Sequence, residues 1–158
     1  MGTTRLNDWL QILASVGVLA GLVFLALEIR QANRIAVATT EIAIREGFGS
    51  LNETIYTNQE TATFLAKARA ADADFSAAER EQIDAFVARL MNIWTGIEEA
   101  FVNDMVSRRT FDEAVEDMQW TVDTYPGMRP YFEDHLQSYS SMSDSELNRE
   151  LAQYLKEK

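Results

Sequence analysis

Residues 9–34 read WLQILASVGVLAGLVFLALEIRQANR, and this stretch decides how the rest of the chain is interpreted. The 19 residues from Trp9 to Leu27 carry no charged side chain. As a helix with a rise of about 1.5 Å per residue they would extend about 28 Å, close to the roughly 30 Å hydrocarbon thickness of a bilayer. Their apolar side chains occupy every face of such a helix, whereas a soluble core helix has an apolar stripe. The stretch therefore predicts a retained transmembrane helix.

Two other interpretations of this stretch stay open at the level of sequence. A cleaved signal peptide would need a basic start, a shorter apolar region and a small-x-small cleavage site directly after it. Here the apolar run ends in LEIR, and the letters of such a site in Ala36-Val37-Ala38 lie nine residues too far on. A buried helix of a soluble protein is the remaining alternative, and the even distribution of apolar residues disfavours it.

The ends of the predicted span carry residues that suit a membrane interface. Trp9 lies at one edge, where amphipathic rings favour the headgroup region. Glu28, Arg30 and Arg34 lie at the other edge, where long side chains can reach the headgroups. Arg30, Arg34 and Arg45 together exceed the positive charge on the N-terminal side, so we expect the C-terminal part to face the cytoplasm.

A pair of glycines gives the predicted span one distinctive face. Gly17 and Gly21 form a G-x-x-x-G pattern, which lets another helix backbone approach closely. The alternative is that small residues are simply common in membrane helices. We expect helix–helix contact in the membrane at this face, with a second copy or with another protein.

Composition restricts the classes of partner and chemistry. The 158-residue chain has no cysteine, which excludes disulfides and thiolate metal sites, and its formal charge is −11. A surface this acidic repels nucleic acid and anionic lipid headgroups, so we expect no nucleic acid as a partner. The predicted span implies contact with membrane lipid, and we expect a protein partner in a membrane complex or homo-oligomer.

The part of the chain after the span is predicted to be all-α. Glycine and proline are scarce, and capping-box patterns begin at Ser76, Thr110 and Ser143. A short helix is expected over residues 59–71. The predicted fold is an N-terminal transmembrane helix that continues into a small antiparallel helical bundle. Its predicted divisions are a tail (1–8), a transmembrane helix (9–27), a helical extension of the span (28–57) and a bundle domain (58–158).

The sequence holds no constellation of residues typical of catalysis. His135 is the only histidine, and Phe132 stands where a di-iron bundle would have glutamate, so we expect His135 at the surface or rim. Glu98 and Glu99 are the best candidates for a functional carboxylate, although such a pair is more often solvated or bonded to a neighbouring arginine. We expect no catalytic residue, no metal site and no cofactor.

Large aromatic residues could line a ligand pocket, but their helical spacing favours packing in the core. They are Trp94, Phe101, Trp120, Tyr125, Tyr131 and Phe132.

Several of these segments together resemble a large family of short, uncharacterised bacterial single-span membrane proteins. The junction LALEIRQANR, residues 25–34, is similar to the family's E-I-R-Q-x-x-R-like segment directly after the span. The helix with Trp94 and Glu98, and the turn with Pro126, Gly127 and Arg129, also look alike. Ala32 and Asn33 depart from the Asn-Thr that is commoner there. The resemblance implies a bacterial inner-membrane protein and carries over no catalytic residue.

Three functions are compatible with these features. The favoured one is a non-enzymatic accessory or scaffold subunit of a membrane complex or homo-oligomer. The alternative is a ligand-sensing helical bundle domain, and an enzyme with a carboxylate site near Glu98 is less favoured than either.

Overall fold

In the computed structural model, which describes residues 2–138 and 145–158, all regular secondary structure is helical. This part of the chain contains no β-strand, so the all-α prediction is confirmed for it. The helices are α1 (Gly2–Thr57), α2 (Gln59–Lys67), α3 (Ala77–Val102), α4 (Arg108–Thr124), α5 (Arg129–Ser138) and α6 (Glu146–Lys156), with a 3₁₀ turn (Pro126–Met128) before α5.

The chain divides into two units, residues 1–39 and residues 40–158, and the division falls inside α1. In the first unit every side chain from Trp9 to Ile35 is exposed. Of the helices described, α1 is the one long and apolar enough to cross a membrane, judged by length and composition, and an 18-residue window in it has a mean hydropathy of 2.4. It is therefore a candidate membrane span.

The second unit has a continuous apolar core to which all six helices contribute. Trp94 of α3 stacks on Phe132 of α5 with ring centroids 5.9 Å apart, and both side chains are almost fully buried. The same core contains other side chains with no more than 2% exposure, among them Phe64, Ile83, Phe111, Met118, Met128 and Leu151. Interiors packed in this way resist changes in volume, so this core fixes the positions of the helices around it.

The last part of α1 belongs to this core. It carries an apolar stripe of Ile44, Phe48, Leu51 and Ile55, in which Leu51 is buried and the other three are partly buried against the core. Close to this stripe, Arg89 of α3 donates a hydrogen bond to the hydroxyl of Ser50.

Polar side chains mark where the helices begin. Asn58 caps α2 by accepting hydrogen bonds from the N–H groups of Glu60 and Thr61, at 2.9 and 3.1 Å. The capping box at the start of α3 is confirmed. The hydroxyl of Ser76 accepts from the N–H of Glu79 (3.3 Å), and the carboxylate of Glu79 accepts from the N–H of Ser76 (2.7 Å).

The predicted start of α4 at Thr110 is wrong by three residues. The cap is Ser107, whose hydroxyl accepts from the N–H of Thr110 at 3.2 Å, so Thr110 is already in the first turn. Glu113 is therefore too far along the helix to close a capping box. Its carboxylate instead bonds Arg109, 2.8 Å away and one turn earlier.

The predicted start of α6 also moves along the chain. Ser143, the predicted cap, lies outside the described residues. The observed cap is Ser145, whose hydroxyl accepts from the N–H of Asn148 at 3.1 Å. The S-x-x-E pattern therefore marked the right region but the wrong serine.

At its other end, α3 closes with a pair of hydrogen bonds that reverse the chain. The N–H of Met105 bonds the carbonyl of Ala100 (2.7 Å), and the N–H of Asp104 bonds that of Phe101 (3.0 Å). This is the Schellman arrangement, and it requires a left-handed residue after the cap. Asp104 occupies that position with φ of 57°, where glycine would be free of the Cβ penalty.

Gly127 brings the 3₁₀ turn against the end of α2. Its N–H donates to the carbonyl of Ala68 at 2.9 Å. A Cβ at this position would lie 2.6 Å from the carbonyl oxygen of Ala70 and 3.0 Å from that of Ala68. Only glycine permits this backbone approach, which sets the start of α5.

Candidate functional site

The carboxylate of Glu98 is occupied by the start of α6. Its Oε1 accepts from the N–H of Glu146 (2.6 Å) and its Oε2 from the N–H of Leu147 (3.3 Å), while the hydroxyl of Ser145 donates to it. The first N–H groups of a helix lack partners within it, and its positive end favours an anion. Glu98 is therefore half-buried and bonded to a helix start, whereas the sequence suggested a solvated carboxylate or a bond to an arginine; Glu99 is exposed.

His135 is a second residue whose surroundings differ from the prediction. It is 9% exposed, so its expected position at the surface or rim is wrong. The reason is that α5 packs against both α3 and α6, and His135 lies one turn after the buried Phe132 on the same face. Within the described ranges, no three side chains of the metal-binding types come together.

The residues predicted to act in the membrane all lie on the exposed first unit. A Cβ added at Gly17 or Gly21 would meet no atom within 4 Å, so this face of α1 is open to a neighbour. Trp9 is 64% exposed, and Glu28 and Arg34 are also exposed, as is Arg30. Their roles at the interface and in helix contact stay predictions.

The second unit contains a groove that the sequence did not predict. We call it the α1/α4 groove, and it consists of two adjoining chambers. The first, about 270 Å³, is lined between Glu41 and Phe48 on α1 and between Thr110 and Asp117 on α4. The second, about 140 Å³, is lined from Phe48 to Ile55 on α1 and from Asp117 to Tyr125 along and just after α4. Along the groove, α1 and α4 therefore run in the same direction.

The floor of the α1/α4 groove is formed by α3. Ile97 lies under the first chamber, and Leu90 and Phe86 lie under the second. Along the groove, α3 therefore runs antiparallel to both α1 and α4. Because these floor residues are apolar, the groove offers hydrophobic surface at its base and leaves polar groups to its walls.

Asp117 lines both chambers and is tied to the core. Its Oδ2 accepts a hydrogen bond from the indole N–H of the buried Trp94 at 3.0 Å. Burial raises the pKa of the Asp117 carboxyl above 3.8, and the bond from Trp94 offsets part of that rise. The Asp117 carboxyl thus accepts the hydrogen bond of the buried Trp94 indole, while its own ionised form is disfavoured by desolvation.

The second chamber has an aromatic rim. Trp120 stands on the wall formed by α4 and is 58% exposed, so the expectation that it packs in the core is wrong. It meets Tyr125 edge to face with centroids 6.2 Å apart, and the guanidinium of Arg69 lies 5.4 Å from the Tyr125 ring. The sequence did hold a signal, since Trp120 is two residues from Met118 and thus about 200° away from the buried stripe of α4.

The first chamber has a charged rim. Three carboxylates line it, those of Glu41, Glu113 and Asp117, against the single guanidinium of Arg45. Glu113 is also bonded to Arg109 outside the chamber. This end of the groove therefore has an excess of negative charge, and the aromatic end has only Asp117 among charged lining residues.

The comparisons with known proteins do not add a function to this geometry. No protein-family model, curated protein or solved structure matches the chain. The exposed span and the α1/α4 groove are the two features of the described residues that a partner could contact.

Proposed function

We propose that the protein is a non-enzymatic, membrane-anchored accessory or scaffold subunit of a membrane complex or homo-oligomer. The observation that supports this most directly is the run from Trp9 to Leu27, in which apolar side chains are exposed on every face of α1. Water-soluble monomers rarely expose apolar patches larger than a few hundred Å². A bilayer covers such a surface completely, and the length of the run fits its hydrocarbon thickness.

We further propose a fold in which this transmembrane helix continues into a small antiparallel helical bundle. The location that suits it is a bacterial inner membrane, crossed once. The arginines after the span, Arg30, Arg34 and Arg45, support an acidic domain on the cytoplasmic side.

The anchoring and its orientation can be tested together in cells. We expect the full chain to stay in the membrane fraction after alkaline carbonate extraction. A cysteine introduced at exposed Glu150 should be labelled by a membrane-impermeant maleimide only after the cells are opened. Release by carbonate would refute the span, and labelling of intact cells would refute the orientation.

Assembly through the glycine face has a matched control in the same helix. Replacing Gly17 and Gly21 by Leu fills the face that a neighbouring backbone would approach. Ala26 lies about 180° from Gly17, so Ala26→Leu adds a comparable side chain on the opposite face. Native mass spectrometry in mild detergent should show the complex weakened at least tenfold by the glycine changes and kept by the control. Equal behaviour of both variants would count against this face.

A further inference from the structure

We propose that the α1/α4 groove is a docking surface for an amphipathic helix of a partner protein, with apolar anchor side chains two turns apart and Lys or Arg residues at one end. This inference rests on the proposed function, since it names the partner that an accessory subunit would hold. It concerns only residues of the second unit.

The spacing of the two chambers matches the repeat of a helix. Along α1 the first chamber runs from Glu41 to Phe48 and the second from Phe48 to Ile55, a displacement of seven residues. At about 1.5 Å per residue the chamber centres are about 10.5 Å apart, which is two helical turns. Side chains at positions i and i+7 of a docked helix have this separation, as in known complexes in which a helix lies in a groove.

The division of the groove into two small chambers suits separate side chains. The chambers are about 270 and 140 Å³. Sites for small ligands usually enclose about 300–1,000 Å³ and bury most of the ligand. Each chamber by itself is smaller than this, and the two are arranged in line over an apolar floor. This arrangement suits successive side chains projecting from one rod.

The charges of the first chamber indicate which helix would fit. Glu41, Glu113 and Asp117 outnumber Arg45 there, and the whole chain has a formal charge of −11. A basic residue beside the first anchor would meet complementary potential, and an acidic one would be repelled. An adjacent cation would also favour the ionised form of Asp117, whose burial disfavours it.

The second chamber supplies an aromatic anchor. Trp120 is 58% exposed beside Tyr125. Trp and Tyr are enriched among the residues that contribute most binding energy at protein interfaces. Burial of the Trp120 ring under an apolar side chain of the partner would remove this exposed surface from water.

The experiment uses the full chain in a non-ionic detergent and a defined peptide probe. The probe is a fluorescein-labelled helical peptide of about 18 residues, with Leu at i, i+4 and i+7 and Lys residues at one end; its matched copy has Glu in place of each Lys. Fluorescence anisotropy should give binding of the Lys peptide at least tenfold tighter than that of the Glu copy. Equal affinities, or no binding of the Lys peptide, would overturn the proposal.

Two pairs of variants locate the binding on the chain. Association of the peptide with detergent affects both members of a pair equally, so it does not change the comparison between them. Trp120→Ala should weaken binding at least tenfold, whereas Tyr56→Ala, which removes an 88% exposed ring outside the groove, should not. If Trp120→Ala leaves peptide binding unchanged but dissociates an oligomer of the protein, the groove belongs to a second copy and the proposal fails.

The second pair tests the charged end. Glu41→Gln combined with Glu113→Gln should weaken binding several-fold and reduce its dependence on salt. Glu46→Gln combined with Glu116→Gln changes the same two helices outside the groove and should leave binding unchanged. Equal effects of the two pairs would overturn the assignment of the groove.

Native mass spectra of the same preparation separate this inference from the proposed function. If the peptide does not bind as expected but the assembly is intact, the docking role of the groove is refuted and the proposed subunit role is not. Tight, groove-dependent peptide binding by a chain that carbonate releases from membranes would refute the anchored subunit and leave the groove standing.

Discussion

Replacing Glu98 by Gln tests whether this carboxylate holds α6 in place. In the structure its two oxygens receive three hydrogen bonds, two from the backbone N–H groups of Glu146 and Leu147 and one from the hydroxyl of Ser145. The substitution turns one oxygen into an amide group that cannot accept, and it removes the charge from the positive end of the helix.

The expected loss follows from these contacts. A hydrogen bond to a charged acceptor contributes about 1.5–3 kcal/mol net, and the charge at the helix end about 0.3–1 kcal/mol. Glu146 is exposed, so water can take over part of what Gln gives up. We therefore expect Glu98→Gln to lower the free energy of unfolding by about 1–2 kcal/mol, or the Tm by about 4–8 °C for a domain of this size.

The neighbouring residue provides the control. Glu99 is exposed, and Glu99→Gln should change the free energy of unfolding by no more than about 0.5 kcal/mol. Both variants and the wild-type chain would be unfolded by heat in the same detergent and followed by circular dichroism. Amide exchange should quicken in α6 for Glu98→Gln alone. Equal Tm values for the two variants would refute the role assigned to Glu98.

Three further substitutions test the backbone and the groove wall. Gly127→Ala places a Cβ 2.6 Å from the carbonyl oxygen of Ala70 and should lower the free energy of unfolding in urea by about 2–3 kcal/mol. The control Gly96→Ala has no atom within 4 Å of the new Cβ and should stabilise the helix by about 0.5–1 kcal/mol. An unchanged stability of Gly127→Ala would contradict the close approach. Asp104→Gly relieves the left-handed conformation and should raise stability by up to about 1 kcal/mol, and a lower Tm would show that the aspartate side chain matters more than its φ of 57°. Burial raises the pKa of the Asp117 carboxyl above 3.8, so the folded protein binds a proton at Asp117 more tightly than the unfolded chain does. The stability that this protonation contributes is therefore lost as the pH rises through the pKa of Asp117 in the folded protein. Asp117→Asn keeps an acceptor for Trp94 without the charge, and its Tm relative to wild type should increase between about pH 4 and pH 7; a constant difference would refute the assignment.

Much of the secondary structure could be predicted because its causes are local. The capping box at Ser76 involves residues three apart, and the apolar stripe from Ile44 to Ile55 follows the helical repeat. The two other predicted starts were displaced because several serines and threonines near each start could serve as the cap. Ser107 and Ser145 are the caps because their hydroxyls reach the free N–H groups of the first turn.

The candidate site could not be predicted, because it depends on contacts between distant parts of the chain. Glu98 and the cap of α6 are 47 residues apart, and Trp94 and Asp117 are 23 apart. Helical spacing places Glu98, four residues after Trp94, near the buried face of α3 and Glu99 away from it, but it does not show which group Glu98 contacts. The α1/α4 groove likewise exists only because α3 forms a floor between two helices that are far apart in sequence.

Hydrophobicity and helical spacing are properties of each segment, so the all-α class and the uncharged apolar run over residues 9–27 can be read without any tertiary contact. Contacts between distant segments were needed to learn that Glu98 holds a helix end, that His135 is buried, and that the exposed face with Trp120 lines a groove opposite α1. Those outcomes depend on which helix lies opposite each side chain, and long-range packing sets that arrangement.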